Sequence, residues 1–192
     1  MSVRSSLLAL LDAGPKYGAL LRAEFEARTG GTWPLNVGQV YTTLARLERD
    51  GLVATDGQDV DGRVIYRITE AGSAEVAQWF ATPVDRVAPT RDALAIKLAF
   101  AVTVPGLDVA RLVVQQRAAT VGALQDFTRL KDRLMDDTDE LPWLLVLDSL
   151  VFAAEAELRW LDHIEARVAR AAYQRTASQR TEAPARRDGA NR

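Results

Sequence analysis

The chain has 192 residues, of which 48% are apolar and 26% are charged, and its formal net charge at pH 7 is −2. This composition is typical of a folded globular protein and excludes a fibrous or wholly disordered chain. Because the sequence contains no cysteine and a single histidine, His163, it also excludes disulfide scaffolds, thiolate metal sites and cysteine nucleophiles.

The first two predicted helices are separated by a Gly-Pro pair. Apolar residues recur at helical spacing over 2–12, and Gly14-Pro15 would end that helix. A second apolar stripe predicts a helix over 16–28, which the Thr-Gly-Gly sequence at 29–31 would end. The chain is therefore expected to open with two short helices.

A third helix is predicted from Asn36 to Gly51. Asn36 is followed three residues later by Gln39, which is similar to a capping box. Apolar residues then recur at intervals of three and four, at Val37, Val40, Leu44 and Leu47. The opposite face of this helix is polar, with short side chains near its start and basic ones near its end. That face presents Gln39, Thr42, Thr43, Arg46 and Arg49.

After Gly51 the period of the pattern changes from 3.6 to 2. Two β-favouring runs, 52–56 and 63–69, are joined by a polar loop and predict a hairpin. Thr69 can cap a further helix that runs to about Phe80. Three short helices, a hairpin and another helix, in this order, predict a winged helix-turn-helix domain over 1–80.

Residues 81–90 contain two prolines and predict a linker to a second, helical domain over 91–174. Within that domain we predict a helix near 94–101, a long helix from 109 to 134 and a last one from Pro142 to about Tyr173. The final segment, 175–192, is basic and almost free of apolar residues, which predicts a disordered tail. The fold class is therefore mainly α with a small β-hairpin wing.

The last two predicted helices are too long to bury their apolar stripes within one chain. At 1.5 Å per residue each would extend on the order of 45 Å, beyond the diameter of a small domain. Long amphipathic helices beside a small module commonly pair with their copies across a two-fold axis. The sequence therefore predicts a homodimer formed through its C-terminal helices.

Four segments of the predicted first domain carry a specific pattern. They are Tyr17-Gly18, Trp33-Pro34, the run GQVYTTLARLERDGLV at 38–53 and the run RVIYRITEAG at 63–72. Together these segments resemble the PadR family of bacterial winged-helix transcriptional regulators. The remainder, from Arg91 to the AELRWL segment at 156–161, is similar to the helical dimerisation domain of that family.

The resemblance implies a dimeric repressor that binds double-stranded DNA at an inverted-repeat operator and is released by a small ligand. A helix with Gln39 and Arg46 on its open face can enter a major groove, where Gln pairs with adenine and Arg with guanine or phosphate. By the pattern of the family, the two tyrosines would contact phosphates and Arg63 would reach the backbone from the wing. The predicted DNA-binding residues are Tyr17, Asn36, Gln39, Tyr41, Thr42, Thr43, Arg46 and Arg63.

The wing departs from the family pattern at one position. Family members usually place a second basic residue beside the wing arginine, whereas this chain has Val64 there. The preceding loop also carries Asp59 and Asp61. We therefore expect the wing to contribute less to DNA affinity than the pattern alone implies.

Two alternatives accompany this interpretation. Without the motif, the polar face of the third helix fits protein contact as well as DNA binding, because Glu48 and Asp50 offset its arginines. The alternative function is therefore a winged-helix interaction module without specific DNA binding. Similarly, Trp79 and Trp160 are candidate ligand-binding residues for a small hydrophobic effector, but each is also suited to be a core anchor.

Other function classes find no support in the sequence. No nucleotide-binding loop, nucleophile with a base or set of metal ligands at a suitable spacing occurs, so we predict that the chain is not an enzyme and needs neither cofactor nor metal. No apolar run approaches a membrane span, and the short N-terminal run lacks a cleavage site. We therefore expect a cytoplasmic protein without membrane contact.

Overall fold

The structure is a computed structural model that describes residues 3–84, 92–104 and 106–182, with side chains as far as 174. The described helices and strands follow one another in the order expected of a winged helix-turn-helix module and a helical C-terminal part. They are α1 (Val3–Asp12), β1 (Lys16–Tyr17), α2 (Gly18–Arg28), α3 (Val37–Arg49), β2 (Val53–Gln58), β3 (Val64–Ile68), α4 (Glu70–Ala81), α5 (Ala93–Ala101), α6 (Val109–Leu134), a 3-10 turn (Thr138–Glu140) and α7 (Leu141–Glu182).

The described residues divide into two compact units. The first combines residues up to 84 with Leu134–Val146, and the second combines 92–133 with the residues from Leu147 onward. The sequence assigned all of 91–174 to one helical domain, so the placement of Leu134–Val146 differs from that expectation. Leu134–Val146 joins the first unit because the buried ring of Trp143 lies against Gly30 of that unit. Most of the predicted linker, 85–91, lies outside the described residues.

A three-stranded antiparallel sheet supports the first unit, with strand order β1-β3-β2. The predicted hairpin is present as β2 and β3, and a register shift separates Thr55 from Gln58 in β2. The strand β1 was not predicted, because Lys16 was expected to begin the second helix. Instead Lys16 and Tyr17 pair with Tyr66 and Ile65 of β3, which satisfies their backbone groups before α2 begins at Gly18.

One apolar core holds α1, α2, α3 and the sheet together. Each helix buries most of the stripe that its sequence period predicted, and the most deeply buried residues are leucines. The exception on α3 is Val37, which was predicted on the stripe but is 50% exposed at the first position of the helix. The largest side chains with no more than 1% exposure in this unit are Leu7, Leu8, Leu11, Leu21, Val40, Leu44 and Leu47. This burial places the opposite, polar face of α3 towards solvent.

The second unit is built from α5, nearly all of α6 and the part of α7 that begins at Leu147. Its core consists of Leu98, Val113 and Leu161, with Trp160 among the half-buried residues packed against it. Several large apolar side chains of this unit remain exposed in the single chain, including Phe100, Val114 and Phe152. No helix in the described ranges is sufficiently long and apolar to span a bilayer.

The last helix is longer than predicted. The sequence placed its end at about Tyr173 and a disordered tail from 175, whereas α7 continues to Glu182. Residues 175–182 are mostly ordinary helix formers and contain neither glycine nor proline, so nothing in this stretch ends the helix. The structure thus includes 175–182 in α7, where the sequence predicted the start of the tail, and 183–192 lie outside the described residues.

Gly72 provides a test of how closely α4 packs against the wing. This glycine is buried in the first turn of α4, where its N–H donates to the Thr69 hydroxyl at 3.1 Å. A Cβ at this position would overlap the carbonyl oxygen of Leu52 and lie 2.6 Å from Cγ1 of Ile68. We expect Gly72→Ala to lower the free energy of unfolding by roughly 1–3 kcal/mol, measured by urea unfolding with circular dichroism.

The matched control is Gly122→Ala in α6, where an added Cβ meets no atom within 4 Å. We expect this change to raise stability by roughly 0.5–1 kcal/mol through helix propensity alone. Equal stability of Gly72→Ala and the unaltered chain would show that α4 does not pack this closely.

Candidate nucleic-acid interface

The start of α3 is organised by a side-chain cap. The Asn36 side chain accepts a hydrogen bond from the Gly38 N–H at 2.7 Å, as the sequence predicted for this residue. Leu35 and Val40 are both buried in the core of the first unit, at the positions of a hydrophobic staple. Asn36 was predicted to contact DNA. In the structure its side-chain oxygen already has a partner, because it caps the start of α3.

The two faces of α3 differ sharply in burial. Val40, Leu44 and Leu47 have at most 1% exposure, whereas Gln39 and Thr42 are exposed. Thr43 lies between the two faces, half-buried, and its hydroxyl donates to the carbonyl oxygen of Gln39 at 2.7 Å. The face therefore presents amide and hydroxyl groups from Gln39 and Thr42, while the Thr43 hydroxyl already has a partner.

The two arginines of α3 are in different electrostatic states. Arg49 donates from Nε and Nη2 to Oδ1 of Asp50, at 3.0 and 2.8 Å. This hydrogen bonding from Arg49, with a contribution from Arg4, lowers the pKa of the Asp50 carboxyl below its ordinary value. Arg46 is exposed and makes no ion pair within the described part of the chain. Arg46 is therefore the α3 cation that is available to an external anion.

Tyr41 lies at the edge of α3 that faces α2. Its side chain is 45% exposed, and its ring packs against the buried Gly18. A Cβ at position 18 would lie 2.8 Å from ring carbons of Tyr41, so the absence of a side chain there allows the contact. Tyr17 precedes this glycine directly, and the structure thus brings both predicted tyrosines to the start of α2.

The wing arginine is engaged by two aspartates. Arg63 donates from Nε to Oδ2 of Asp59 at 2.6 Å and from Nη2 to Oδ2 of Asp61. Its guanidinium also lies 4.2 Å from the centre of the Tyr17 ring, which is a cation-π contact. Unlike Arg46, Arg63 must exchange existing partners before it can bind an anion.

Asp59 also organises the turn of the wing. Its Oδ1 accepts from the backbone N–H groups of Asp61 and Arg63, both at 2.9 Å. Partial burial raises the pKa of the Asp59 carboxyl, but the hydrogen bonds from Arg63 and Asp61 outweigh that effect and hold the pKa below its usual value. The same contact with Asp59 raises the pKa of Arg63.

Three positions near this surface were not identified from the sequence. Gly18 supports the Tyr41 ring, while Arg22 and Val37 line a cleft of about 230 Å³ between α2 and α3. Arg22 donates to Oε1 of Glu26 at 3.0 Å, and the same oxygen accepts from the Leu35 N–H at 3.1 Å. The sequence placed Val37 on the apolar stripe of α3 with Val40 and Leu44, but its side chain is 50% exposed because it is the first residue of the helix.

The two tryptophans predicted to bind a ligand lie in separate cavities. Trp79, on α4, lines a cavity of about 190 Å³ with residues of α1 and α2, and its ring centre is 4.7 Å from that of Phe80. Trp160, on α7, lines a groove of about 480 Å³ with residues of α5. Each of the two tryptophans therefore lines a cavity within its own unit.

Comparisons with known proteins agree with this architecture. Residues 7–78 match the transcriptional regulator PadR-like family, and residues 90–169 match the virulence activator alpha C-terminal family. The chain is 29% identical to the probable transcriptional regulator Rv1176c of Mycobacterium tuberculosis over 186 residues, which cover 85% of this chain and 96% of the relative. It is 37% identical to the transcriptional regulator Rv3488 of the same organism over 79 residues, 40% of this chain and 71% of the relative.

The fold is also similar to that of Bacillus subtilis PadR. The structure of that protein in complex with operator DNA covers 86% of this chain and 97% of its own, with a TM-score of 0.67 and 20% identity. Its structure in complex with p-coumaric acid covers 86% and 98%, with a TM-score of 0.70 and the same 20% identity. The two relatives from Mycobacterium tuberculosis are named as transcriptional regulators and not as enzymes.

The contact between Asp59 and Arg63 generates a prediction about pH. A carboxyl whose pKa is lowered in the folded state stabilises that state above its unfolded pKa, and this stability is lost as the pH falls through the folded pKa. We expect Arg63→Ala to raise the pKa of Asp59 towards its ordinary value. The carboxyl carbon shift of Asp59, followed by NMR during an acid titration, measures this change.

The control is Arg67→Ala, which removes a wing arginine 3.8 Å from Asp56 and not in contact with Asp59. We expect that variant to leave the Asp59 titration midpoint unchanged. If both variants gave the same midpoint as the unaltered chain, Arg63 would not be bound to Asp59 in solution.

Proposed function

The chain belongs to the transcriptional regulator PadR-like family, and from this premise we propose that it binds an operator duplex as a homodimer and represses transcription there. In this proposal residues 1–80 bind DNA and residues 91–174 dimerise. Two copies of α3 enter successive major grooves about 34–36 Å apart, one turn of B-DNA. The operator is accordingly an inverted repeat.

The observation that carries the proposal is the exposed face of α3. Gln39, Thr42 and Arg46 are exposed on this face, opposite the buried leucines that hold the helix in place. A B-DNA major groove admits a helix of this kind, in which Gln can bond adenine and Arg can bond guanine. A rigid helix with an uncovered polar face is suited to reading base edges, because its side chains need little reorganisation before binding.

Phosphate contacts would position this helix. Tyr17 and Tyr41 lie beside the start of α2, where their hydroxyls can donate to phosphates, and the N-terminus of α2 favours an anion. Arg63 would contribute less than a free arginine, since phosphate must displace Asp59 and Asp61. With about 4–6 phosphates neutralised per dimer, log affinity should fall with log salt at a slope of roughly −4 to −5.

An effector site in the second unit is a further part of the proposal. The groove beside Trp160 is lined mainly by apolar residues, with Arg167 as a charged one, and its volume is in the usual range for small ligands. Bacillus subtilis PadR has been solved with p-coumaric acid, which supports a small aromatic effector for this chain. The smaller cavity beside Trp79 is the alternative location. Ligand binding would release the operator by changing the spacing of the two α3 helices.

The DNA-binding proposal is tested at Arg46 and Tyr41. We expect Arg46→Ala to weaken binding to a selected operator duplex by about tenfold or more, since it removes a contact to guanine or phosphate. Tyr41→Phe, which removes only the hydroxyl and keeps the ring against Gly18, should also weaken binding, and both variants should keep the melting temperature and the oligomeric state. Fluorescence anisotropy with a duplex recovered from a random library measures the affinities.

Arg49→Ala is the matched control, because Arg49 is an exposed α3 arginine that is already paired with Asp50. We expect a smaller loss for this variant and for Arg63→Ala. Unchanged affinity on removal of Arg46 and the Tyr41 hydroxyl would contradict the assigned surface. Failure to recover any preferred duplex would favour a protein-interaction module instead.

The dimer is tested by dilution. The second unit has exposed apolar side chains, such as Phe152 at 67% exposure. Their exposure in the single chain supports a surface that the second copy covers in the dimer. We expect sedimentation to report a dimer at micromolar concentration and Phe152→Glu to shift it towards monomer. Val60→Glu, at the exposed wing tip, is the control and should leave the dimer intact. A stable, fully helical monomer of the unaltered chain would contradict the proposal.

A further inference from the structure

The connection between α2 and α3 contains residues that constrain the backbone little. It spans 29–36 and includes Gly30 and Gly31, both with positive φ. Glycine leaves the backbone more conformational freedom than any other residue. The direction in which α3 leaves α2 therefore depends on contacts that the connection makes with the rest of the unit.

Glu26, in the last turn of α2, contacts this connection at two points. Its backbone carbonyl accepts a hydrogen bond from the Gly31 N–H at 2.8 Å. Its side-chain Oε1 accepts from the Leu35 N–H at 3.1 Å, nine residues along the chain. Leu35 is buried and directly precedes Asn36, the residue that caps α3. One residue of α2 thus holds the backbone at the point where α3 begins.

The carboxylate of Glu26 is itself fixed in place. Nε of Arg22, one turn earlier on α2, donates to the same Oε1 at 3.0 Å. The Glu26 side chain is 27% exposed and lies in the cleft between α2 and α3. A backbone N–H bonds a charged oxygen more strongly than a neutral one. The pair of contacts is therefore suited to hold the first turn of α3 in one orientation.

Reading base edges requires a more exact placement of α3 than contact with phosphates does. Donors and acceptors of the helix must meet a fixed pattern in the groove, whereas attraction to phosphates is independent of sequence. We propose that Glu26 is a positioning residue, which fixes the start of α3 through the Leu35 N–H and thereby sets the sequence preference of the chain. This inference rests on the proposed DNA binding and adds to it a residue that acts without touching DNA.

The test compares Glu26→Ala with Glu26→Gln in the full-length chain. Alanine removes the acceptor, whereas the amide oxygen of glutamine can still accept from the Leu35 N–H. A preferred duplex is selected from a random library, and anisotropy measures affinity for it and for a scrambled duplex, at a temperature where every variant is folded.

The expected result is a loss of preference in Glu26→Ala only. This variant should bind the preferred duplex about tenfold more weakly, because α3 must then be ordered on binding, and the scrambled duplex within about twofold of the unaltered chain. Glu26→Gln should retain most of the preference. A general loss of stability would not separate the two duplexes in this way.

Glu24→Ala is the matched control. Glu24 is also a glutamate of α2, is 29% exposed and pairs with Arg28 at 3.6 Å, one turn away. Among the described residues its carboxylate pairs with Arg28 and Lys16 and not with the connection at 29–36. We expect this variant to keep the preference of the unaltered chain.

A second measurement reports the contact without DNA. Hydrogen exchange of the Leu35 amide, followed by NMR, should be about tenfold faster in Glu26→Ala and unchanged in Glu24→Ala. The inference is overturned if Glu26→Ala leaves this rate unchanged, if it keeps the preference as Glu24→Ala does, or if Glu26→Gln loses as much as Glu26→Ala. A library that yields no preferred duplex would overturn the proposed function, and with it the role in sequence preference, while the exchange rates would still decide whether Glu26 holds Leu35.

Discussion

Burial of one face of α3 is the constraint on which the candidate interface depends. Val40, Leu44 and Leu47 are almost completely removed from solvent in the leucine core of the first unit. Because residues of a helix have fixed angular positions, this burial determines which other side chains point outward. The buried face fixes the helix in place, so the polar face with Gln39 and Arg46 forms a rigid exposed surface.

Intramolecular partners then divide the polar residues near this face into engaged and available groups. Asn36 caps the helix, the Thr43 hydroxyl is bonded to its own helix, and Arg63 is held by aspartates. Residue type alone does not reveal these engagements, since a threonine or arginine has the same chemistry with or without a partner. The available groups, Gln39 and Arg46 among them, are consequently fewer than the sequence motif suggests.

Periodic and capping signals explain which parts of the fold could be predicted. The Asn36 cap, the bounds of α6 and the burial of Val40, Leu44 and Leu47 on α3 all follow from local patterns, and the structure agrees with them. Val37 has the spacing of the same stripe but is exposed, and a periodic pattern does not show where the neighbouring elements end. Strand β1 has only two residues and thus no period, and its partner β3 lies far along the chain. Likewise, the packing of Trp143 on Gly30 joins distant positions, so no local pattern indicated that Leu134–Val146 accompanies the first unit.

The charge distribution has a consequence for how DNA affinity would arise. The first 80 residues carry 8 Lys/Arg and 10 Asp/Glu, so long-range attraction to a polyanion is weak and binding depends on a few placed groups. Each half-site alone would then bind poorly, and the second contact gains from the effective concentration that dimerisation provides. A change in the spacing of the two α3 helices would forfeit that gain. Weak individual contacts therefore make the proposed operator binding sensitive to dimer geometry, which is the property that a ligand-responsive regulator requires.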